Sequence, residues 1–273
     1  TLSGTLNLSG TIQGAGDLTV SGTVNVNGGT FAGTGTLTLS TTASVISTGS
    51  STISSAVTNL GTLSVTSGTL TIASSLDNQG TLKGGGTIDG SVSNAGIVKP
   101  GDGTAPGLLS ITGGYTQTSG GTLSIVATGS TAGTGYGQLS VGGPITLAGT
   151  LALDVSYSSQ IGDVFRVLDN TGLNAISGNF QNVAEQSSVI IDGRAFSATY
   201  LGGTGNDATL TLDAYVNTWT ATVSGDWNNA ANWSRGTVPA PNEDVVITPS
   251  NSSLTISVTG GSFTARRITS TAV

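Results

Sequence analysis

The sequence predicts an all-β solenoid, short strands wound into stacked coils, and three observations carry that expectation. A phrase of glycine, threonine and a branched aliphatic returns along the chain, as at Gly4-Thr5-Leu6, Gly22-Thr23-Val24, Gly61-Thr62-Leu63, Gly86-Thr87-Ile88 and Gly149-Thr150-Leu151. A turn-then-strand unit of that size cannot close a core of its own and must stack on copies of itself. Between the returns the chain alternates apolar and polar residues, as in Leu6/Leu8, Leu18/Val20, Val24/Val26, Leu37/Leu39, Leu63/Val65, Leu70/Ile72 and Leu123/Ile125. Period two puts these aliphatics on one inward face and the interleaved Thr, Ser and Asn on the other. Finally, no segment holds a 3.6-residue apolar stripe for three turns, and glycine and β-branched residues both disfavour helix.

Turn chemistry agrees. The chain has 43 glycines but 6 prolines and no three-residue period, which excludes collagen. Asn27-Gly28, Asp89-Gly90 and Asp102-Gly103 offer positive φ between strands, and Gly84-Gly85-Gly86 suits a tight corner. Spacings between the glycine-threonine phrases are irregular, which fits three unequal strands per coil better than a fixed hexapeptide. At about 20 residues per coil, roughly ten coils stacked at ~4.8 Å would make a rod on the order of 50 Å long.

Composition removes whole classes of function. With 7 Lys+Arg against 14 Asp+Glu, a net charge of -7 leaves no basic surface for phosphates, so nucleic acid is not expected as a partner. Apolar residues come in twos and threes, never in the run of about 20 that a membrane helix needs. Cys, Met and His are all absent, which removes disulfides, thiolates, imidazole bases and soft metal ligands. The chain is therefore expected to be no enzyme, with no catalytic residue, metal or cofactor assigned. Its acidic, Thr/Ser/Gly-rich and lysine-poor character points to an exported protein. Thr1 to Leu6 already reads as a working repeat, so flanking sequence or another subunit is expected before Thr1, and Val273 stops in a pattern that Thr1 could continue.

The segments divide at composition shifts. Residues 1–125 read as solenoid coils, 126–213 as a continuing β-helical stalk, and 214–273 as a tryptophan-rich junction module leading into a further solenoid stretch. From Asn94 the phrases run Asn94-Ala95-Gly96-Ile97-Val98-Lys99-Pro100-Gly101, Gly107-Leu108-Leu109-Ser110-Ile111-Thr112-Gly113-Gly114-Tyr115, Gly120-Gly121-Thr122-Leu123, Leu147-Ala148-Gly149-Thr150-Leu151 and Gly162-Asp163-Val164-Phe165-Arg166-Val167-Leu168, on to Gly178-Asn179-Phe180. In this order they resemble the stalk-forming passenger repeats of bacterial autotransporter-like surface proteins, over about Asn94 to Leu212. The resemblance implies a right-handed parallel β-helix outside a bacterial cell, serving adhesion, biofilm or surface coating. The family's C-terminal translocator barrel and N-terminal secretion domain have no counterpart here. Gly225-Asp226-Trp227-Asn228-Asn229-Ala230-Ala231-Asn232-Trp233-Ser234 is similar to a tryptophan module that recurs between β-helical stretches of large repetitive bacterial extracellular proteins.

Each candidate site has a plainer alternative. Trp219, Trp227 and Trp233 either fill a junction and cover coil ends or stack on sugar rings, with Asp226, Asn228 and Asn232 as hydrogen-bonding partners. Asp226 and Glu243-Asp244 offer hard oxygens for calcium, yet no EF-hand or Gly-Gly-x-Gly-x-Asp array is present, so solvated turn carboxylates are expected. Asp154 with Asp163, or Asp163 with Asp169, are the pairs to weigh as acid and base for glycan cleavage; they sit at turn-like positions with few cations nearby. Thr36-Leu37-Thr38, Thr69-Leu70-Thr71 and Thr209-Leu210-Thr211 are too irregularly spaced for one flat ice-binding array, and strand propensity already explains them. Gly133-Thr134-Gly135-Tyr136-Gly137 and Gly202-Gly203-Thr204-Gly205 open no helix and read as loops. The sequons at Asn7, Asn232 and Asn251 are expected by chance. The expected function is a structural subunit of an extracellular surface fibre that stacks end to end on copies of itself; the alternatives are an adhesin binding surface or matrix glycans and, behind it, a polysaccharide-processing enzyme.

Overall fold

In the computed structural model, which describes residues 1–248 and 254–271, the glycine-threonine phrases open strands and the strands stack coil upon coil. The sequon at Asn251 and the terminal Val273 lie outside the described residues. The fold is a right-handed parallel β-helix with essentially no α-helix. The chain divides into two units, one of Thr1–Ser159, Asp163–Ser187 and Ala198–Leu210, the other of Gln160–Gly162, Ser188–Ser197 and Thr211–Val273.

The first unit holds eight coils. The first is β1 (Thr5–Leu8), β2 (Thr11–Gly14) and β3 (Leu18–Val20); the second is β4 (Thr23–Val26), β5 (Thr30–Gly33) and β6 (Leu37–Leu39). The third is β7 (Ser44–Ser47), β8 (Ser51–Ile53) and β9 (Val57–Asn59). In the fourth and fifth, β10 (Thr62–Val65) is followed by β11 (Thr69–Asn78), and β12 (Thr81–Gly84) by β13 (Thr87–Asn94). Then come β14 (Ile97–Pro100), β15 (Leu108–Ile111) and β16 (Tyr115–Gln117), followed by β17 (Thr122–Ala127), β18 (Gln138–Val141) and β19 (Ile145–Leu147). The last coil is β20 (Thr150–Val155), β21 (Val164–Asn170) and β22 (Ser177–Gly178). Three parallel ladders result, as three unequal strands per coil require. β11 and β13 turn a corner in mid-strand, so each pairs in two ladders and joins them into one sheet. Asp89-Gly90 therefore lies inside a bent strand, not between strands, with Gly90 at φ 154.

Register explains the core. Val24, Val45, Leu63, Leu82, Val98, Leu123 and Leu151 are partners in one inward row, and each is buried. Burial of each such side chain is worth about 1.5–3 kcal/mol, so every coil is held by the two it touches. The coils differ in length: 18 residues separate the neighbours Asn7 and Asn25, 16 separate Asn78 and Asn94, and 28 separate Thr122 and Thr150. Extra residues leave at corners, at 101–107 and 128–137, and the inward rows stay aligned.

The interior is not wholly aliphatic. Asn59, Asn78 and Asn94, expected among the water-facing residues, point inward and are fully buried. Asn59 Nδ2 donates to Asn78 Oδ1 and Asn78 Nδ2 to Asn94 Oδ1, both at 2.7 Å. Asn94 Nδ2 then reaches the Tyr115 hydroxyl at 3.3 Å, which donates to Gln117 Oε1 at 2.8 Å. Gln117 Nε2 ends the chain on the carbonyls of Ala148 and Thr150. Burial pushes the Tyr115 phenol well above its usual range. Glycines follow the asparagines because the coils touch there: a Cβ on Gly80 or Gly96 would lie 2.2 Å from a carbonyl oxygen of the coil above. Near the far end, the buried Asp207 carboxylate accepts from Asn170 N at 2.8 Å and pairs with Arg166 Nη1 at 3.3 Å, which fixes β25 (Asp207–Thr218) at its start.

In the second unit, β23 (Ser188–Ile191) forms an antiparallel hairpin with the first residues of β24 (Arg194–Gly202). A short pair, β26 (Gly225–Asp226) and β28 (Ile256–Ser257), flanks a parallel ladder in which β25 pairs with β27 (Glu243–Ile247) and β27 with β29 (Arg267–Ser270).

Two outcomes test the fold. Asn78→Leu should cost about 3 kcal/mol in urea unfolding, because it strands a buried donor of Asn59 and a buried acceptor of Asn94, while Asn25→Leu on the outer face should stay within about 0.5 kcal/mol; equal effects would contradict the ladder. Asp102 holds the 101–107 corner by accepting from the amides of Ala105 and Thr104, which lower its carboxyl from 3.8 to about 2. A depressed folded value means these contacts are complete above 3.8 and are lost as pH falls through about 2. The amide shifts of Thr104 and Ala105 in NMR should titrate with that low midpoint; an ordinary carboxylate midpoint would contradict the corner.

Candidate functional site

Two places carry features beyond coil packing: the tryptophan module of the second unit and the open face of the first coil. In the module, Trp219 follows β25, and its backbone N donates to Val246 O at 2.9 Å. A single 3₁₀ turn, Ala230–Asn232, is capped by Asn229, whose side chain accepts from Ala231 N, and leads into Trp233. Trp219 and Trp233 meet as an antiparallel bridge. Their rings are edge-to-face at 5.1 Å, and Trp227 meets Trp233 at 4.7 Å. Trp233 Nε1 donates to Trp227 O at 2.8 Å. Val245 sits under the rings, with Val238, Ile247, Leu254 and Phe263 around them.

The rings are 3%, 6% and 3% exposed at Trp219, Trp227 and Trp233, so their faces are spent on one another. Asp226 accepts from Asn228 N at 2.8 Å and from the Thr259 hydroxyl, and these two bonds, Thr259 first, hold its carboxyl below the usual range. Asn232 Nδ2 donates to Asp226 O at 2.9 Å. The arrangement is a small hydrophobic core with a hydrogen-bonded rim.

Four of the five other candidate carboxylates are engaged. Asp244 takes a two-pronged pair with Arg266 at 2.8 and 2.9 Å, and Glu243 pairs with Arg235 at 2.8 Å. Asp163 accepts from the Tyr157 hydroxyl at 2.6 Å, Asp169 pairs with Arg166 at 3.1 Å, and Asp154 points outward on β20. Among the described residues no three His, Cys, Asp or Glu side chains gather where they could hold a metal ion, and no helix is long and apolar enough to cross a membrane. The Gly202–Gly205 turn wraps the Asp207 carboxylate, which accepts from Thr204 N. Thr19, Thr38 and Thr58 do align in one row despite their uneven spacing, but the row continues through Asp77 and Ser93 and is one residue wide on three-residue strands.

Leu6, Ile12 and Leu18 are only half-buried, whereas their partners Val24, Phe31 and Leu37 are buried. Leu2 covers part of β3: its N donates to Thr19 O at 2.8 Å, and its O accepts from Ser21 N at 2.7 Å. Among the described residues, β1 and β2 carry no strand on that side. Beside β2 lies a cavity of about 170 Å³ lined by Ile12, Leu18, Phe31 and Leu37. Gly14, Gly16, Gly33 and Gly35 also line it; a Cβ on Gly14 or Gly16 would meet nothing within 4 Å, whereas one on Gly35 would lie 2.5 Å from the backbone of Gly16. Asp17 is the one charged residue before Asp77. No family model, curated protein or solved structure matches the chain.

If the three rings are one core, Trp233→Ala should lower the stability of the second unit by about 3–5 kcal/mol. Tryptophan fluorescence against urea should then shift its transition to lower denaturant; an unchanged midpoint would mean that the rings do not hold the module.

Proposed function

We propose that this chain is a structural unit of an extracellular bacterial fibre or stalk, that it extends by stacking β-coil on β-coil, and that it acts mechanically, without catalysis. The observation that carries the reading is the in-register parallel ladder, whose first coil has strand edges left unpaired among the described residues. Soluble sheets normally blunt such edges with lysine, proline, a bulge or an inward charge. The first coil has Leu6, Ile12 and Leu18 half-buried in the inward rows and Asp17 as its one charge. Stacking hides apolar surface and satisfies open backbone groups in one step.

The outer surface supports this reading. It is a field of short hydroxylated side chains, low in charge and free of oxidisable sulfur, which suits a passive material outside the cell. The phrases from Asn94 to Leu212 resemble stalk repeats and point the same way.

Sedimentation velocity across a concentration series, with negative-stain electron microscopy, tests the proposal. Species that lengthen in one dimension as concentration rises are expected. A single monomeric species at the highest concentration, with native circular dichroism, would refute it.

A further inference from the structure

We infer that Lys83 and Lys99, neighbours on the outer face of the first unit, form an oxyanion site for an acidic polysaccharide and share one of its carboxylate or sulfate groups. The site lies within that unit and is complete whether or not units stack.

The first support is placement. Lys83 and Lys99 are the only lysines of the chain, and they are direct partners in register, one on β12 and one on β14. Parallel neighbours stand about 4.8 Å apart, and like charges set opposite each other destabilise a sheet. The inward row through Leu82 and Val98 is complete without them, so packing does not call for two ammonium groups here.

The second support is the missing counter-charge. Lys83 Nζ donates to a carbonyl, Asp102 O, at 3.1 Å, and among the described residues neither lysine enters an ion pair. Asp102 feels the charge of Lys83, but its Oδ1 accepts from Thr104 N, Thr104 Oγ1 and Ala105 N within its own turn. Two lysines against one Asp leave a positive spot on a chain of net charge -7. An oxyanion offers one oxygen to each ammonium group in charge-assisted bonds.

The third support is shape. The 101–107 corner is fastened to the coil of Lys83, because Gly84 N donates to Gly101 O and Gly101 N to Gly84 O, both at 2.7 Å. A Cβ on Gly103 would lie 3.7 Å from Lys99 Cδ, so the corner runs along the Lys99 stem while its Asp102 carbonyl holds the Lys83 head. Both side chains are thereby placed before a ligand arrives, which lowers the cost of binding. Ser64, the partner of Lys83 in the preceding coil, and Thr66 line a cavity of about 230 Å³ with Gly84, Gly85 and the corner. Hydroxyl and backbone groups there match a polyhydroxylated body. Two cations are too few for a nucleic acid, whose binding draws on many phosphate contacts.

Amide shifts of the isotope-labelled chain test the site, with a uronic-acid oligosaccharide, a sulfated oligosaccharide, a neutral glucan oligosaccharide of equal length and sodium sulfate as probes. At low salt at least one acidic oligosaccharide should move the amides of Lys83, Lys99 and residues 101–107, and which of the two does so identifies the group. The shifts should vanish at about 1 M salt, and neither the neutral probe nor sulfate should reproduce them. Lys99→Met, which keeps the stem, should weaken binding about fivefold. The double variant Lys83→Met/Lys99→Met should remove it, and Lys99→Arg should retain it. Removing like charges should leave the urea midpoint unchanged or raised. No shift with either acidic probe, equal binding of the neutral probe or of sulfate alone, or undiminished binding in the double variant would overturn the site. Self-association lost in the double variant, with no oligosaccharide shifts, would overturn it in favour of a carboxylate from a second copy.

Discussion

Everything in this molecule depends on in-register parallel stacking: whatever a coil turns inward must suit the residue directly above it and the one directly below. A row such as Val24, Val45, Leu63, Leu82 and Val98 satisfies that rule with aliphatics, and Asn59, Asn78 and Asn94 satisfy it with amides that donate and accept along the same axis. Each coil contacts only its neighbours, so stability accumulates by addition along the axis and no single centre holds the fold. Coils can then differ in length with little penalty, because a loop at a corner does not disturb the rows.

The same rule locates the weak places. Asn59 follows Leu39 in register, so its Oδ1 faces an aliphatic and finds no partner. Ser47 and Ser51 turn inward with unbonded hydroxyls in an otherwise apolar stretch. The first coil has its inward residues half-covered and a cavity at a glycine corner. The tryptophan module is a local exception: its packing comes from edge-to-face rings, with two indole N–H groups, on Trp219 and Trp227, left unpaired inside.

Alternation was enough to read the inward rows. Every aliphatic from Val20 onward in the pairs that marked them is buried, and on the first coil Leu8 is buried while Leu6 and Leu18 are half-buried. The asparagine ladder escaped that reading because asparagine at an inward position contradicts hydropathy. Its signal was present all the same: Val57-Thr58-Asn59-Leu60-Gly61, Leu76-Asp77-Asn78-Gln79-Gly80 and Val92-Ser93-Asn94-Ala95-Gly96 repeat aliphatic-x-Asn-x-Gly. The roughly ten coils expected became eight because the later ones carry corner loops, and residue spacing alone does not distinguish a loop from a coil. Burial of the three tryptophans, and the vacancy beside β2, depend on what lies across the fold from each residue, which composition does not encode.

A coil is as stable as the neighbours on its two sides make it. Amide hydrogen exchange, resolved by residue, measures this directly. Protection should rise from the first coil to the fourth, fifth and sixth, with the amides flanking Leu63, Leu82 and Val98 slowest, and β1 and β2 should gain protection as chains associate. Uniform protection from the first coil to the eighth, unchanged by association, would contradict it.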